Sequence, residues 1–563
     1  MSARARPRGL HLRHVCPPNG HQRRHLNHFI SRADASLTSA EATPVSNDPS
    51  STFTLAVKDN IATASFPTTC ASPFLIDYRS PYEATIVSQL RARGARLVGT
   101  TNMDEFGMGS HSTHSVFGPV AQDPEGDAPI PADTSSLLSA GGSSGGSAVA
   151  VAKGEADVAL GTDTGGSVRL PAAYCAVVGF KPSYGMISRF GVVPYANSLD
   201  TVGFLAREVS RIRDLIVGGG TRPGLWAEHD PQDPTSLSSA ARTRCAGGRE
   251  GYKFDTAWGK KRPADLLRGL RVGIPLEYNI EELDPAIRDS WARVAALLQS
   301  SFGVRAVPVS LPTTRHALAA YYVIAPAEAS SNLAKYDGIR YGARATSNTT
   351  AAAAAEDGSA AAPASDAAEG GVLYAASRAA GFGAEVKRRI LLGGYTLSAA
   401  AMDNYFLQAQ RVRRLVRRDF DRVFALANPL HDGDADPESE PPSFDLSDLD
   451  ERVPMADKRG PEEEVDFLLC PTAPTPPPTL REVLAKEKNP VEAYMNDVFT
   501  VPASLAGLPA VSVPVSVQPG GAGEAGRPGA AGLQLIGQYW DDARLLGVAE
   551  ALVEVLRDEG MGR

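Results

Sequence analysis

Cysteine is scarce: five well-separated residues in a chain of 563 cannot form the dense disulfide framework of small secreted domains. Apolar runs long enough to span a bilayer as a helix, about eighteen residues, are missing as well. No Gly-x-x-x-x-Gly-Lys-Ser/Thr loop occurs, so ATP chemistry has no phosphate cradle on this chain. What is plentiful is ordinary: 43% of residues are hydrophobic, enough for a large core and too many for a disordered chain.

The net charge of −8 is spread unevenly. Residues 1–32 hold seven arginines, five of the ten histidines and no acid. Residues 432–466 hold fourteen carboxylates against Arg452, Lys458 and Arg459. The remainder has no basic stripe, which gives no footing for a phosphate backbone. An arginine-rich, acid-free start without an apolar core fits a mitochondrial presequence, expected over 1–24 and reaching at most about 32. A basic tail without a fold is the alternative. Unpaired cysteines agree with a matrix or cytosolic location, of which the arginine-rich start favours the matrix.

Periodicity then supplies elements. Phe53–Val57 reads as a strand ending at Lys58, Ala84–Arg93 as a helix with Ile86, Val87 and Leu90 on one face, and Arg96–Gly99 as a second strand. Strand, helix, strand signals an α/β protein. Ala148–Lys153 is expected as a helix, Val158–Leu160 and Val511–Val517 as strands, and Ala399–Ala425 as a long arginine-rich helix packed by one face. Residues 223–264 read as irregular. Two stretches, 346–371 and 432–466, are expected as disordered insertions, the first for want of bulk and the second because its charges repel.

Chemistry concentrates where glycine meets serine. An acyl-transfer enzyme needs a nucleophile, a base and donors for the oxyanion. Ser167 ends the run Gly161-Thr162-Asp163-Thr164-Gly165-Gly166-Ser167, whose successive glycines let N–H groups converge; Thr164, Gly165, Gly166 and Ser167 are the natural donors. A lone Gly-Gly-Ser is more often a helix cap. Its company changes that: Ser143 lies in Gly141-Gly142-Ser143-Ser144-Gly145-Gly146-Ser147, and Lys58 ends a strand. A lysine buried beside hydroxyls loses its proton near neutrality, since burial disfavours the ammonium.

These loops, with Val57-Lys58-Asp59-Asn60, Pro171-Ala172-Ala173 and Gly179-Phe180-Lys181-Pro182, resemble the amidase signature family. The resemblance implies one large α/β domain over 25–563, with a mixed central sheet flanked by helices. It also implies a Ser–Ser–Lys triad: Ser167 attacks, Ser143 relays the proton and Lys58 is the base, with a cis Gly142–Ser143 peptide aiming the relay. Further tracts, Thr101–Ser110, Asp337–Gly342, Arg388–Gly393 and Pro502–Pro509, are similar to the glutaminase subunits of tRNA-dependent amidotransferases. Those subunits release ammonia from glutamine, and a partner uses it to convert Glu-tRNA(Gln) to Gln-tRNA(Gln). By that resemblance Arg389 holds the glutamine α-carboxylate, Asp497 holds the α-ammonium, and Tyr322 or its neighbour Tyr321 lines the pocket. It places no cofactor or metal on this chain. ATP and Mg are expected on the partner B subunit, which also carries most of the tRNA contact, beside a small C-type or fungal F-type third subunit. The sequence departs from the family at Ala140, where proline is usual, and in both insertions.

Other signals are weaker. Gly141-x-Ser143-x-Gly145 also fits the nucleophile elbow of α/β-hydrolases, but only His229, His316 and His431 are available downstream as its base. Gly521-x-Gly523-x-x-Gly526 matches a dinucleotide fingerprint, yet Pro528 and Gly529 forbid the helix that it needs. His111 and His114 lack neighbouring carboxylates or thiols to complete a metal site. A stand-alone amidase of another small or fatty amide, and a scaffold subunit without catalysis, remain as alternatives.

Overall fold

Short apolar segments become strands, and the spaces between them become helices. The computed structural model describes residues 26–33, 52–123, 137–219, 222–247, 249, 252, 263–344, 374–430, 464–486, 490–517 and 529–562. The expected presequence, the 346–371 insertion, most of the 432–466 insertion, His431 and the Gly521–Gly526 run lie outside them. In chain order the elements that build the site are β1 (Phe29–Arg32), β2 (Phe53–Lys58), α1 (Thr85–Ala92) and β3 (Ala95–Thr101). There follow α2 (Gly145–Ala152), β4 (Val158–Asp163), α3 (Arg169–Tyr174), β5 (Val178–Lys181) and β6 (Thr201–Ala206). The second half adds α4 (Val209–Ile216), β7 (Arg271–Pro275), α5 (Pro285–Phe302), β8 (Arg305–Val309) and α6 (Ala317–Asn332). It continues with α7 (Ala384–Thr396), α8 (Phe406–Val423), β9 (Phe467–Pro471), α9 (Val501–Ala506), β10 (Ala510–Val517), β11 (Gly529–Ile536) and α10 (Asp542–Asp558).

The strands form one eleven-stranded sheet, ordered β1-β3-β2-β4-β6-β5-β10-β11-β9-β7-β8. Pairing is mixed: β2 runs parallel to β3 and β4, whereas β5 meets β10 antiparallel, joining the two halves of the chain. Both faces are covered. Leu55 and Val57 pack into one core and Ala56 into the other, and Val158, Leu160 and Ala159 divide the same way. Helix α2 is apolar all round and buried through Val151, as a helix lying on the sheet must be. Gly146 permits this closeness, since a Cβ there would sit 2.4 Å from the Asn102 carbonyl oxygen. The arginine-rich helix is narrower than its expected span, because 399–405 are turns before Phe406; it packs by Ala409, Val416, Phe420 and Val423.

Two expectations need correction. Residues 223–264 are partly regular: Ser239–Gly247 is a helix, and the buried Arg242 gathers the carbonyls of Gly185, Met186, Trp226 and Leu237. The second insertion cannot extend to 466. Val465 is buried and exchanges hydrogen bonds with Val423 and Ala425, and Asp466 accepts the Arg271 N–H at 2.9 Å.

Candidate active site

Three chain segments that end strands or begin helices converge at one side of the sheet. Lys58 closes β2, Ser143 lies two residues before α2, and Ser167 lies between β4 and α3. Lys58 Nζ donates to Ser143 Oγ at 2.7 Å and to Thr162 Oγ1 at 2.9 Å. The Ser144 N–H donates to the Ser167 carbonyl at 3.1 Å, which sets the two serine loops side by side. The Gly142–Ser143 peptide is cis, and Lys58 and Ser143 are buried while Ser167 is half-buried. Burial pushes the Lys58 ammonium down to about 7, against the pull of Asp104, Asp163 and Asp200.

The glycine loop is braced from below. Arg169 grips Asp163 through two 2.9 Å bonds and also donates to the Thr500 carbonyl, Ser504 Oγ and Gln534 Oε1. Burial acts to raise the Asp163 carboxyl, but Arg169 overrides it and holds the group below its usual range. The N–H groups of Gly165, Gly166 and Ser167 make no hydrogen bond among the described residues, so they are available to an oxyanion.

Arg389, Asp497 and Tyr322 come together from three different segments. The Tyr322 hydroxyl donates to Asp497 Oδ2 at 3.3 Å, Ser110 Oγ donates to the same oxygen at 3.0 Å, and the Arg389 guanidinium lies 5.4 Å over the Tyr322 ring. Both candidate tyrosines take part, because Tyr321 packs against Gly165 while Tyr322 faces Asp497. A Cβ on Gly166 would lie 3.0 Å from Asp497 Oδ1, so the proposed ammonium site adjoins the glycine loop. Burial raises the Asp497 carboxyl to about 6, opposed by the Ser110 hydrogen bond and by Arg389. A cavity of about 300 Å³ opens beside this cluster, lined by Ser110, Glu385, Arg389, Tyr494 and Asn496 among others.

Several functional neighbours escaped the sequence reading. Glu385, one turn before Arg389 on α7, accepts from Arg389 Nε at 2.7 Å, and the Tyr195 hydroxyl accepts from Nη1 at 2.6 Å. Tyr494 donates to Glu385 at 2.9 Å. The i,i+4 spacing of Glu385 and Arg389 was the one readable sign of this set. Of the discounted histidines, His111 and His114 line this cavity, with His111 held between Ser139 and Asn496, whereas His229 faces Ser236 and His316 is exposed. Among the described residues no group of His, Cys, Asp and Glu is placed to hold a metal, and no helix is long and apolar enough to cross a membrane.

A mixed sheet, two glycine–serine loops and a buried lysine define an amidase, and the amidase family model matches residues 28–432 and 446–546; the chain belongs to that family. Among its relatives is the mitochondrial glutamyl-tRNA(Gln) amidotransferase A subunit of Neurospora crassa, 62% identical over 99% of this chain and 100% of that one. The protein of the same description from Podospora anserina is 60% identical over 99% and 100%. The crystal structure of the glutamyl-tRNA(Gln) amidotransferase A subunit from Thermotoga maritima superposes with a TM-score of 0.58 at 30% identity, covering 89% of this chain and 82% of that one.

Proposed function

We propose that this chain is the glutamine-hydrolysing A subunit of a mitochondrial glutamyl-tRNA(Gln) amidotransferase. The observation that carries the chemistry is the buried 2.7 Å contact from Lys58 Nζ to Ser143 Oγ, with the lysine held near neutrality beside the glycine loop. The kinship to the A subunits of fungal mitochondria supports the substrate and the compartment.

Neutral Lys58 accepts the Ser143 proton while Ser143 Oγ takes the proton of Ser167, and Ser167 Oγ attacks the glutamine amide carbon. The carbonyl electrons move onto oxygen, where the N–H groups of Gly165, Gly166 and Ser167 receive them; Thr164 completes the proposed donor set. As the tetrahedral adduct collapses, the C–N bond breaks. The nitrogen leaves as ammonia with the proton returned through Ser143. Water then attacks the γ-glutamyl ester by the same relay, freeing glutamate and Ser167.

Arg389 is suited to the α-carboxylate, because Nε and one Nη1 hydrogen face Glu385 and Tyr195, leaving Nη2 for substrate. Asp497, ionised above about 6, is suited to the α-ammonium. The ammonia serves a B subunit that holds ATP, Mg and most of the Glu-tRNA(Gln) contact, with a small C-type or F-type subunit completing the assembly in the matrix. Ser167→Ala tests the assignment: glutaminase activity of the assembled complex should fall by several orders of magnitude while the complex still forms. Near-normal ammonia release would remove Ser167 as nucleophile.

A further inference from the structure

One buried carboxylate joins the acyl end of the pocket to its amino-acid end. Asp200 directly precedes β6, whose Thr201 pairs with Asp163 of β4, and this register sets its side chain across from Thr164. Asp200 Oδ1 accepts the Thr164 hydroxyl at 2.7 Å. Oδ2 accepts the N–H groups of Tyr195 at 2.8 Å and Ala196 at 3.0 Å. Tyr195 in turn presents its hydroxyl to Arg389 Nη1 at 2.6 Å. Thr164, Asp200, Tyr195 and Arg389 are all buried, where hydrogen bonds hold more firmly than in water.

We propose that Asp200 is a positioning residue that fixes the distance from the α-carboxylate anchor to the oxyanion loop and thereby selects glutamine over asparagine as amide donor. The inference rests on the glutaminase reading above. A substrate held at its α-carboxylate must place its amide carbon at Ser167, and the two amino acids differ by one methylene. A pocket of fixed length discriminates such a difference by roughly 10- to 200-fold, and a misplacement of about 1 Å at the reacting atom costs on the order of 10²-fold. A pocket whose two ends drift independently discriminates far less.

The experiment measures ammonia release from glutamine and from asparagine by the native complex carrying each variant, read as the ratio of their kcat/KM values. Asp200→Ala severs both ties and should lower the glutamine-to-asparagine ratio at least tenfold. Thr164→Val removes one hydroxyl at nearly constant volume and should move the ratio the same way, which keeps the test open if Asp200→Ala does not accumulate. Asp200→Asn should restore the wild-type ratio within threefold: its Oδ1 can keep the two backbone N–H groups while Nδ2 donates to Thr164 Oγ1. An unchanged ratio in the first two variants overturns the proposal. So does an Asn variant as unselective as Ala, since charge and not placement would then be the cause. A wild-type complex that releases no ammonia from glutamine would instead overturn the glutaminase reading, and the strut with it.

Discussion

A lysine serves as a base only where its charged form is made costly, and Lys58, the proposed base, shows how the cost is set. Burial alone would drive the ammonium far down; the three carboxylates of Asp104, Asp163 and Asp200 pull it back to about 7. Asp104 is the largest of these opposing influences, and it also accepts the N–H groups of Ser112 and His114. The sign of the pH effect follows. Below about 7 Lys58 holds its proton and cannot draw one from Ser143, so activity should rise with pH through that region. Asp104→Asn removes a negative charge that favours the ammonium, so the midpoint of the rise should move to lower pH. Pre-steady-state glutaminase rates across pH 5.5 to 8.5 check this (about three units centred on the value, so both plateaus are reached). A midpoint unmoved or shifted upward in Asp104→Asn would separate Asp104 from the base.

Among the elements, the β4–α3 turn tolerates little change. Gly166 has no room for a side chain: a Cβ would sit 2.2 Å from Thr500 Oγ1 and 3.0 Å from Asp497 Oδ1. Both partners come from the segment that leads into α9, so a larger residue would drive the oxyanion loop away from it. Gly166→Ala should therefore cost about 10²-fold in kcat with the sheet intact, read by comparing turnover with the far-UV spectrum and thermal unfolding. Turnover within twofold of wild type would show that the loop shifts freely. This turn, Lys58 and Ser143 were legible in sequence because each pairs a reactive side chain with glycine or a strand end. Strands β2, β3, β4 and β10 were legible from their apolar runs, with boundaries off by up to three residues, whereas β5 and β6 beside them were not read. Tyr195, Asp200, Glu385 and Tyr494 were not legible, because their ties to the site, Tyr195 to Arg389, Asp200 to Thr164 and Tyr494 to Glu385, join residues 36 to 194 positions apart. No local pattern reports a contact between residues 109 positions apart, such as that of Glu385 with Tyr494.

At the scale of the molecule, the two halves are welded by β5 on β10, and the described borders of the acidic stretch lie in the second half. Its borders meet in space. The Val465 N–H donates to the Val423 carbonyl at 2.8 Å, and the Ala425 N–H to the Val465 carbonyl at 2.9 Å. The chain that leaves after Leu430 therefore returns to the end of α8, where Asp466 is tied to Arg271 and Arg544 and β9 enters the sheet between β11 and β7. A link between such close borders needs little length. Each doubling of a flexible loop adds only about 0.6 kcal/mol to the entropy of closing it, so shortening the loop stabilises slightly if it does anything. Ten Gly/Ser residues in extended form reach about 30 Å, ample for the return. Replacing residues 434–460 by such a linker should leave glutaminase activity within twofold and the unfolding temperature unchanged or slightly raised. The measurement is made on the assembled complex, with co-purification of the other subunits scored beside it. Activity retained with the partners lost would assign the acidic stretch to assembly, and activity lost with the fold intact would assign it to the active site.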